Sequence, residues 1–264
     1  MFDPESKLAA QALSAGYAAD NVLSDLSISF NTGSITAIIG PNGAGKSSLL
    51  KALARKIKPE SGAVLLDGVS ITSLKRTELA GQIGYLGALP AARSNETVFE
   101  MVARSAMSAA GISRVSPRLK DEIAQLLQRT GLSEVSDRKV GELSSGTRQS
   151  AVIAAALVAN PSVLLLDEPT SSLDYSHQLQ VINLLSSLKR ERGMTIVTVI
   201  HDLNLAARFA DSVVILKDGK IVDRGAPKDV INPQNLANAF NILARVIEDP
   251  VGKTPLVIPI RQLG

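Results

Sequence analysis

Between Leu8 and Phe30 the chain carries short apolar alternations such as LSISF (Leu26 to Phe30), a period of two that predicts half-exposed antiparallel strands. The pattern then changes to SITAIIG (Ser34 to Gly40), a β-branched run ending in glycine that predicts a buried strand. Directly after the next loop, KSSLLKALARKI places Leu49, Leu50, Leu53 and Ile57 on one helical face, with Pro59 expected to stop the helix. Strand, glycine loop and helix therefore follow one another.

The middle of the chain differs in kind. From Thr97 to Leu132 helical spacing replaces strand spacing, first in TVFEMVARSAMSAA and then in SPRLKDEIAQLLQRTG, where Ser116 reads as an N-cap, Pro117 as the first helical residue and Gly131 as the residue past the end. Roughly Leu89 to Gly141 is expected to be a helical insertion. Strands return at VLLLDEP and MTIVTVIHD, with the helix SHQLQVINLLSSLKRERG between them. A third return, SVVILKDGKIVDRG, predicts a hairpin turning at Asp218 and Gly219. From Pro227 to Gly264 the signals weaken, and no internal repeat interrupts the chain.

Composition narrows the classes. With 264 residues, 45% of them apolar and 20% charged, the chain can bury a large α/β core, so disorder is not the default. A net charge of +3 suits an acidic ligand or an anionic surface without selecting either. Nucleic acid is disfavoured, because there is no Trp and only 3% aromatic residues to stack on bases. Zero Cys excludes a disulfide framework and thiolate metal sites, and fits a reducing compartment. The opening MFDPESK has no apolar stretch of the secretory kind, and the longest apolar run, Ala151 to Ala159, is about half the length needed to span a bilayer. A soluble chain is expected, one that could work at a membrane only by docking onto another protein.

Three stretches carry chemistry. GPNGAGKSS, Gly40 to Ser48, has the P-loop pattern: its glycines let backbone N–H groups converge on phosphate oxygens, Lys46 neutralises the β and γ phosphates, and the Ser47 hydroxyl can ligate Mg²⁺. VLLLDEP ends an apolar strand in two acids at the sheet edge where open α/β sheets bind ligands. Adjacent residues on an extended chain point oppositely, so Asp167 suits the metal and Glu168 suits a base that activates water. Taken alone, such a pair is more often a helix cap or surface turn; a P-loop in the same chain favours the catalytic reading. His201 follows a buried strand to that same edge and is expected to sense the γ-phosphate or position the attacking water, the alternative being a hydrogen-bonded structural histidine. His177, at a polar helix start, receives no role.

A fourth stretch poses a question. LSSGTRQS, Leu143 to Ser150, is small, hydroxyl-rich and free of acids, and it opens a helix, as an anion-binding N-terminus would, with Ser144 or Ser145 as cap. The P-loop already supplies what one nucleotide needs.

These residues together resemble the ATPase subunit of an ATP-binding cassette (ABC) transporter, and the likeness covers almost the whole chain. Gly40 to Ser47 match that family's Walker A loop, VLLLDE its Walker B strand with Glu168 as catalytic glutamate, SSLD (Ser171 to Asp174) its D-loop, His201 its switch histidine, and Tyr17 in LSAGY its adenine-stacking aromatic. LSSGTRQ resembles its signature loop, usually Leu-Ser-Gly-Gly-Gln/Glu.

The resemblance implies an α/β fold, a P-loop NTPase of ABC ATPase type: a mixed sheet core with an N-terminal antiparallel β subdomain, and an α-helical subdomain insertion. The core would comprise residues 1–88 and 142–230, the helical subdomain 89–141, and a C-terminal extension 231–264. The resemblance also answers the question, because in this family two copies pair head to tail and the signature loop of one closes on the γ-phosphate held by the other. ATP would then meet Tyr17, Gly40, Pro41, Asn42, Gly43, Ala44, Gly45, Lys46, Ser47 and Ser48 of one copy and Ser144 and Gly146 of the next. Mg²⁺ would sit on Ser47 and Asp167, with Glu168 and His201 catalytic.

The implied partners are a second copy of the chain, transmembrane permease subunits and, indirectly, a periplasmic or surface solute-binding protein; no nucleic acid is implied. The implied location is the cytoplasmic face of the bacterial inner membrane. The C-terminal DPVGKTPLVIP, Asp249 to Pro259, resembles the end of importer ATPases for iron-siderophore, haem and cobalamin; from the residues alone it is an extended, proline-bounded strand packing on the core.

Two positions depart from the family pattern. Ala88 stands where a glutamine normally helps ligate Mg²⁺ and links the site to the permease, with Gly87 in place of a common proline. In the signature loop Ser145 and Thr147 replace Gly and Gln/Glu. Ala88 leaves open a poorly hydrolysing regulatory subunit; a soluble P-loop ATPase or kinase unconnected with transport is the other alternative.

Overall fold

The computed structural model describes residues 6–17, 20–87, 95–171 and 173–264. Ala88 and the start of the expected helical insertion, 89–94, lie outside the described residues, as does Ser172 of the expected D-loop.

The N-terminal alternation forms β1 (Ser6–Tyr17) and β2 (Asp20–Asn31), an antiparallel pair. Two residues take left-handed backbone where the pairing slips, Ala12 (φ 46°) and Asp25 (φ 49°), and the N–H of each donates to a serine hydroxyl, Ser27 and Ser14. After β3 (Ile35–Ile39) and α1 (Lys46–Leu53), β4 (Ser61–Leu66) pairs with the free edge of β1 and β5 (Val69–Ser70) follows, giving the sheet order β2-β1-β4-β5. Its apolar face, with Leu8, Leu13, Leu23 and Phe30, closes on Leu49, Leu50 and Leu53 of α1. Each of those three leucines is fully buried, worth about 1.5–3 kcal/mol apiece relative to exposure.

The second sheet has β3 near its centre. Beyond α2 (Arg76–Gln82) come β6 (Ile83–Leu86), β7 (Val163–Leu166), β8 (Thr195–Val199), β9 (Ser212–Lys217) and β10 (Lys220–Gly225), in the order β10-β9-β3-β8-β7-β6. All neighbours are parallel except β10, which returns antiparallel from a turn at Asp218 and Gly219, both in left-handed backbone as expected for a two-residue hairpin. Both faces are covered: Ile38 of β3 joins the cluster with α1, while Ala37 and Ile39 join the one formed with the C-terminal elements.

The helical stretch forms α3 (Val98–Ala110) and α4 (Pro117–Arg129), with Ser116 as N-cap and Pro117 as first residue. They pack with α5 (Ser145–Leu157), so the helical layer runs on past Gly141. Helix α6 (Tyr175–Arg192) leads from β7 to β8. Then α7 (Leu203–Phe209), α8 (Pro227–Val230), α9 (Pro233–Phe240) and the hairpin β11 (Ile242–Glu248) with β12 (Pro255–Gln262) complete the chain. The proline-bounded strand is β12; its Val257 is buried, and the Asn204 side chain bonds both its N–H and its C=O, at 2.7 and 3.2 Å.

One expected element is shorter than its pattern. Helix α1 ends at Leu53, not at Pro59, because Arg55 turns left-handed (φ 54°). The N–H groups of Lys56 and Arg55 donate back to the carbonyls of Lys51 and Ala52, a Schellman ending that usually needs glycine. Here the Arg55 guanidinium, bonded to the carbonyls of Ile71 and Leu74, helps hold the left-handed backbone, and Ile57 leaves the helical face.

Candidate functional site

The phosphate loop follows the buried β3 directly and runs into α1, so its position is set by the sheet's centre. Gly45 caps the helix with φ 96°, and a Cβ there would meet Leu23 at 2.9 Å, so only glycine lets the antiparallel sheet press against the loop. The Gly219 N–H donates to the Ala44 carbonyl at 3.1 Å, tying the loop to the β9–β10 turn as well. The first helical N–H to find a carbonyl is that of Leu49, on Gly45, so Lys46, Ser47 and Ser48 offer unspent N–H groups. Asn42 and Gly43 stand exposed at the loop's crest, next to Pro41.

Lys46 is only 6% exposed, and its ammonium donates to the Gly40 and Pro41 carbonyls at 2.9 and 2.8 Å. Burial pushes its pKa down, opposed by the nearby carboxylates of Glu168 and Asp167. A buried cation held by two neutral carbonyls is a ready partner for a phosphate, which would supply the missing negative charge.

The two acids diverge. Ser47 Oγ donates to Asp167 Oδ1 at 2.9 Å, across 120 residues of chain, while Glu168 Oε1 meets His201 Nε2 at 2.6 Å. Extended backbone does not cause the divergence: Glu168 sits at φ 53°, a left-handed turn costing about 1–3 kcal/mol in a non-glycine residue. The N–H and hydroxyl of Ser171 both donate to the Glu168 carbonyl and hold that turn. Burial raises the Asp167 carboxyl above the usual carboxylate range, and neighbouring Glu168 adds to this, against the lowering effect of the Ser47 bond. Two hard oxygen donors side by side, one of them a carboxylate disfavoured by burial, fit a Mg²⁺ ion, whose charge would offset that cost. Ser47, Asp167 and Glu168 line a cavity of about 280 Å³ together with Gln149 from α5.

Tyr17 ends β1, 46% exposed, and its hydroxyl accepts from Lys51 of α1 at 3.0 Å. That bond is the main cause lowering the tyrosine's pKa. The ring thus stands fixed beside the phosphate loop with much of its surface open.

Ser144 and Gly146 belong to a different place. Ser144 is the cap: its hydroxyl accepts the Thr147 N–H at 3.2 Å and shares a bond with the Thr147 hydroxyl at 2.8 Å. Gly146 is buried against His177. Among the described residues, none of the hydrogen bonds of this turn reaches Gly40 to Ser48. The structure therefore assembles Tyr17, the loop, Asp167, Glu168 and His201 from distant segments, and leaves the second anion-binding turn among other partners.

Residues that periodicity and motif did not single out also hold the site. Arg148 reaches back to the carbonyls of Val140, Gly141 and Leu143 and fixes the loop that enters α5. Lys51 orients Tyr17, and Gln149 lines the carboxylate cavity. Arg148 and Gln149 fall within the stretch LSSGTRQ, but nothing in it points to these contacts, and Lys51 is a polar residue in the last turn of α1 that solvent explains equally well.

The chain matches the family model for ABC transporters over residues 23–171. It is 39% identical over 261 residues to the ferric enterobactin transport ATP-binding protein FepC of Escherichia coli, a match covering 98% of this chain and 96% of that one. Among solved structures, one described as a metal-chelate type ABC transporter in an inward-facing conformation superposes with a TM-score of 0.81 at 25% identity, over 97% of this chain and 98% of that chain. A bacterial ABC transporter cassette solved as a dimer superposes with a TM-score of 0.72 at 27% identity, over 83% of this chain and 98% of that chain.

Proposed function

The chain belongs to the ABC transporter family, and from that premise we propose that it is the ATP-hydrolysing subunit of an importer for an iron-siderophore complex, with haem and cobalamin as related cargoes. The observation that carries this reading is the pairing of Ser47 with Asp167 and of Glu168 with His201 at one sheet edge, in a chain similar over nearly its whole length to a ferric enterobactin transport subunit.

On ATP entry the Lys46 ammonium exchanges the Gly40 and Pro41 carbonyls for phosphate oxygens, and the N–H groups of Gly43 to Ser48 close around them. Tyr17 stacks on adenine. Ser47 and Asp167 would hold Mg²⁺, and the ion would supply positive charge to offset the negative charge developing on the transferring phosphoryl group. Glu168 takes the proton of the attacking water, and His201 orients Glu168 and contacts the γ-phosphate. Ser144 and Gly146 come from a second copy of the chain; a helix N-terminus at a phosphate adds about 0.3–2 kcal/mol, one increment of closure. Closing the pair moves whatever is docked on it.

No helix among the described residues is long and apolar enough to cross a membrane. The likeness to import subunits supports a place on the cytoplasmic face of the bacterial inner membrane, docked on permease subunits. A cavity of about 600 Å³ between α2, α3 and the end of α5, with Arg55, Lys56, Arg76 and Arg104 around Leu79 and Tyr85, offers the permease a basic-rimmed seat. Co-purification with the permease, followed by phosphate release with and without a ferric siderophore and its solute-binding protein, tests this reading. Stimulated release of free phosphate is expected. Transfer of labelled phosphate to an acceptor would overturn it in favour of a kinase, and ATP-driven pairing without turnover in favour of a regulatory subunit.

A further inference from the structure

Helix α6 starts at Asp174, whose carboxylate caps it by accepting the His177 backbone N–H at 2.9 Å. The same oxygen meets the ring Nδ1, also at 2.9 Å. An ionised carboxylate only accepts, so the Nδ1–H donates. These bonds, the backbone one foremost, hold the Asp174 carboxyl below the usual carboxylate range. A helix cap needs nothing more.

The ring has a second engagement. It lies against Gly146 in the first turn of α5, so closely that a Cβ on that glycine would overlap ring atoms Cγ and Cδ2. Gly146 is not among the glycines with positive φ, so its backbone would accept any residue; the space taken by the imidazole is what excludes a side chain. On another side a cavity of about 540 Å³, reached also by Thr147 and Gln180, adjoins the ring. Packing alone therefore leaves the imidazole room to swing, and the bond to Asp174 is what keeps it against Gly146.

We propose that His177 is a positioning residue that ties the segment ending at Asp174 to the N-terminal turn of α5. Ser144 and Gly146 then face the partner copy's nucleotide at one set angle, and the two segments move together on closure. This rests on the reading that Ser144 and Gly146 act across a dimer. His177 itself touches no substrate.

The test uses the full chain with its permease. His177→Ala should lower kcat about 10- to 100-fold, the scale of a misplaced binding group, while single-chain affinity for a fluorescent ATP analogue stays at the wild-type value. His177→Asn keeps an N–H near the place of Nδ1 and should recover most of the loss; His177→Leu, similar in bulk, should not. Gly146→Ala should be strongly impaired, and adding His177→Ala should make it no worse, since the overlap is gone. In a Glu168→Gln background, His177→Ala should raise the protein concentration needed for Mg-ATP-driven pairing. If His177→Ala lowers the melting temperature, the Asn and Leu variants compared below it decide. Wild-type kcat and pairing in His177→Ala, or equal impairment by Asn and Leu, overturns the proposal. Should Glu168→Gln alone fail to pair on Mg-ATP, the dimer reading itself is what has failed.

Discussion

Glu168 Oε1 and His201 Nε2 lie 2.6 Å apart although 33 residues separate them, because β7 and β8 are adjacent parallel strands with Leu166 opposite Thr198. Strands so paired run about 4.8 Å apart, and side chains just beyond their carboxyl ends reach each other easily. The left-handed turn at Glu168 directs its carboxylate to the His201 ring.

Glu168→Gln should reduce phosphate release about 10²- to 10⁴-fold, the usual scale for a lost general base, with ATP affinity unchanged. Steady-state hydrolysis beside equilibrium nucleotide binding checks this; near-normal turnover would remove Glu168 from its role.

Lys46→Ala should weaken ATP binding about 10- to 100-fold, since one charge-assisted bond to phosphate is worth about 1.5–3 kcal/mol. Titration with a fluorescent ATP analogue reads the loss, and adenosine, which lacks phosphates, should show none.

Tyr17→Ala should weaken ATP and GTP to different degrees and cost about 1–3 kcal/mol for ATP, the range for a base stacked on an aromatic ring. Lys51→Ala, which frees the Tyr17 hydroxyl and removes the ammonium 5.3 Å from the ring centroid but leaves the ring in place, should cost less; competition binding orders the two variants.

Chelating divalent cations should stop hydrolysis while leaving binding through Lys46 and Tyr17 measurable. Ser47→Ala should raise the Mg²⁺ concentration that restores half-maximal turnover, because one of the two proposed oxygen ligands is lost. An unaltered metal requirement would dismiss Ser47 as a ligand.

Asp167 makes the stability of the fold depend on pH. Its carboxyl is raised in the folded state, so the fold binds the proton more tightly than the unfolded chain does, and this contribution is lost as pH rises from the unfolded value through the folded one. Asp167→Asn removes the buried charge and should melt higher at neutral pH without nucleotide, by about 2–4 °C per kcal/mol relieved, while losing Mg-dependent turnover. The advantage should shrink toward acid pH, where wild-type Asp167 is protonated too. Calorimetry at two pH values measures both.

Where the sequence misled, the cause was a local signal overridden from a distance. Nothing in KSSLLKALARKI marks Leu53 as the helix end, because the usual glycine is absent and the Arg55 guanidinium finds its carbonyls on Ile71 and Leu74. The opposed directions of Asp167 and Glu168 were expected from extended backbone, whereas a turn held by Ser171 produces them.

His177 marks the boundary between the two kinds of information. Its place at a helix start is visible in the chain, since Asp174 precedes it at capping distance. Its contact with Gly146 is not, because 31 positions and two turns of chain must fold before they meet.

By itself the amino-acid order determined the phosphate loop, the strands that end in Asp167, Glu168 and His201, the paired helices from Val98 onward and the hairpin at Asp218. Each follows from backbone conformations that neighbouring residues impose on one another. Only the tertiary structure decided which groups meet: Ser47 with Asp167, Glu168 with His201, Tyr17 with Lys51, His177 with Gly146. Those meetings depend on strand order and on how helices lie across the sheets, and side-chain periodicity, which records only which face a residue takes, carries no information about either.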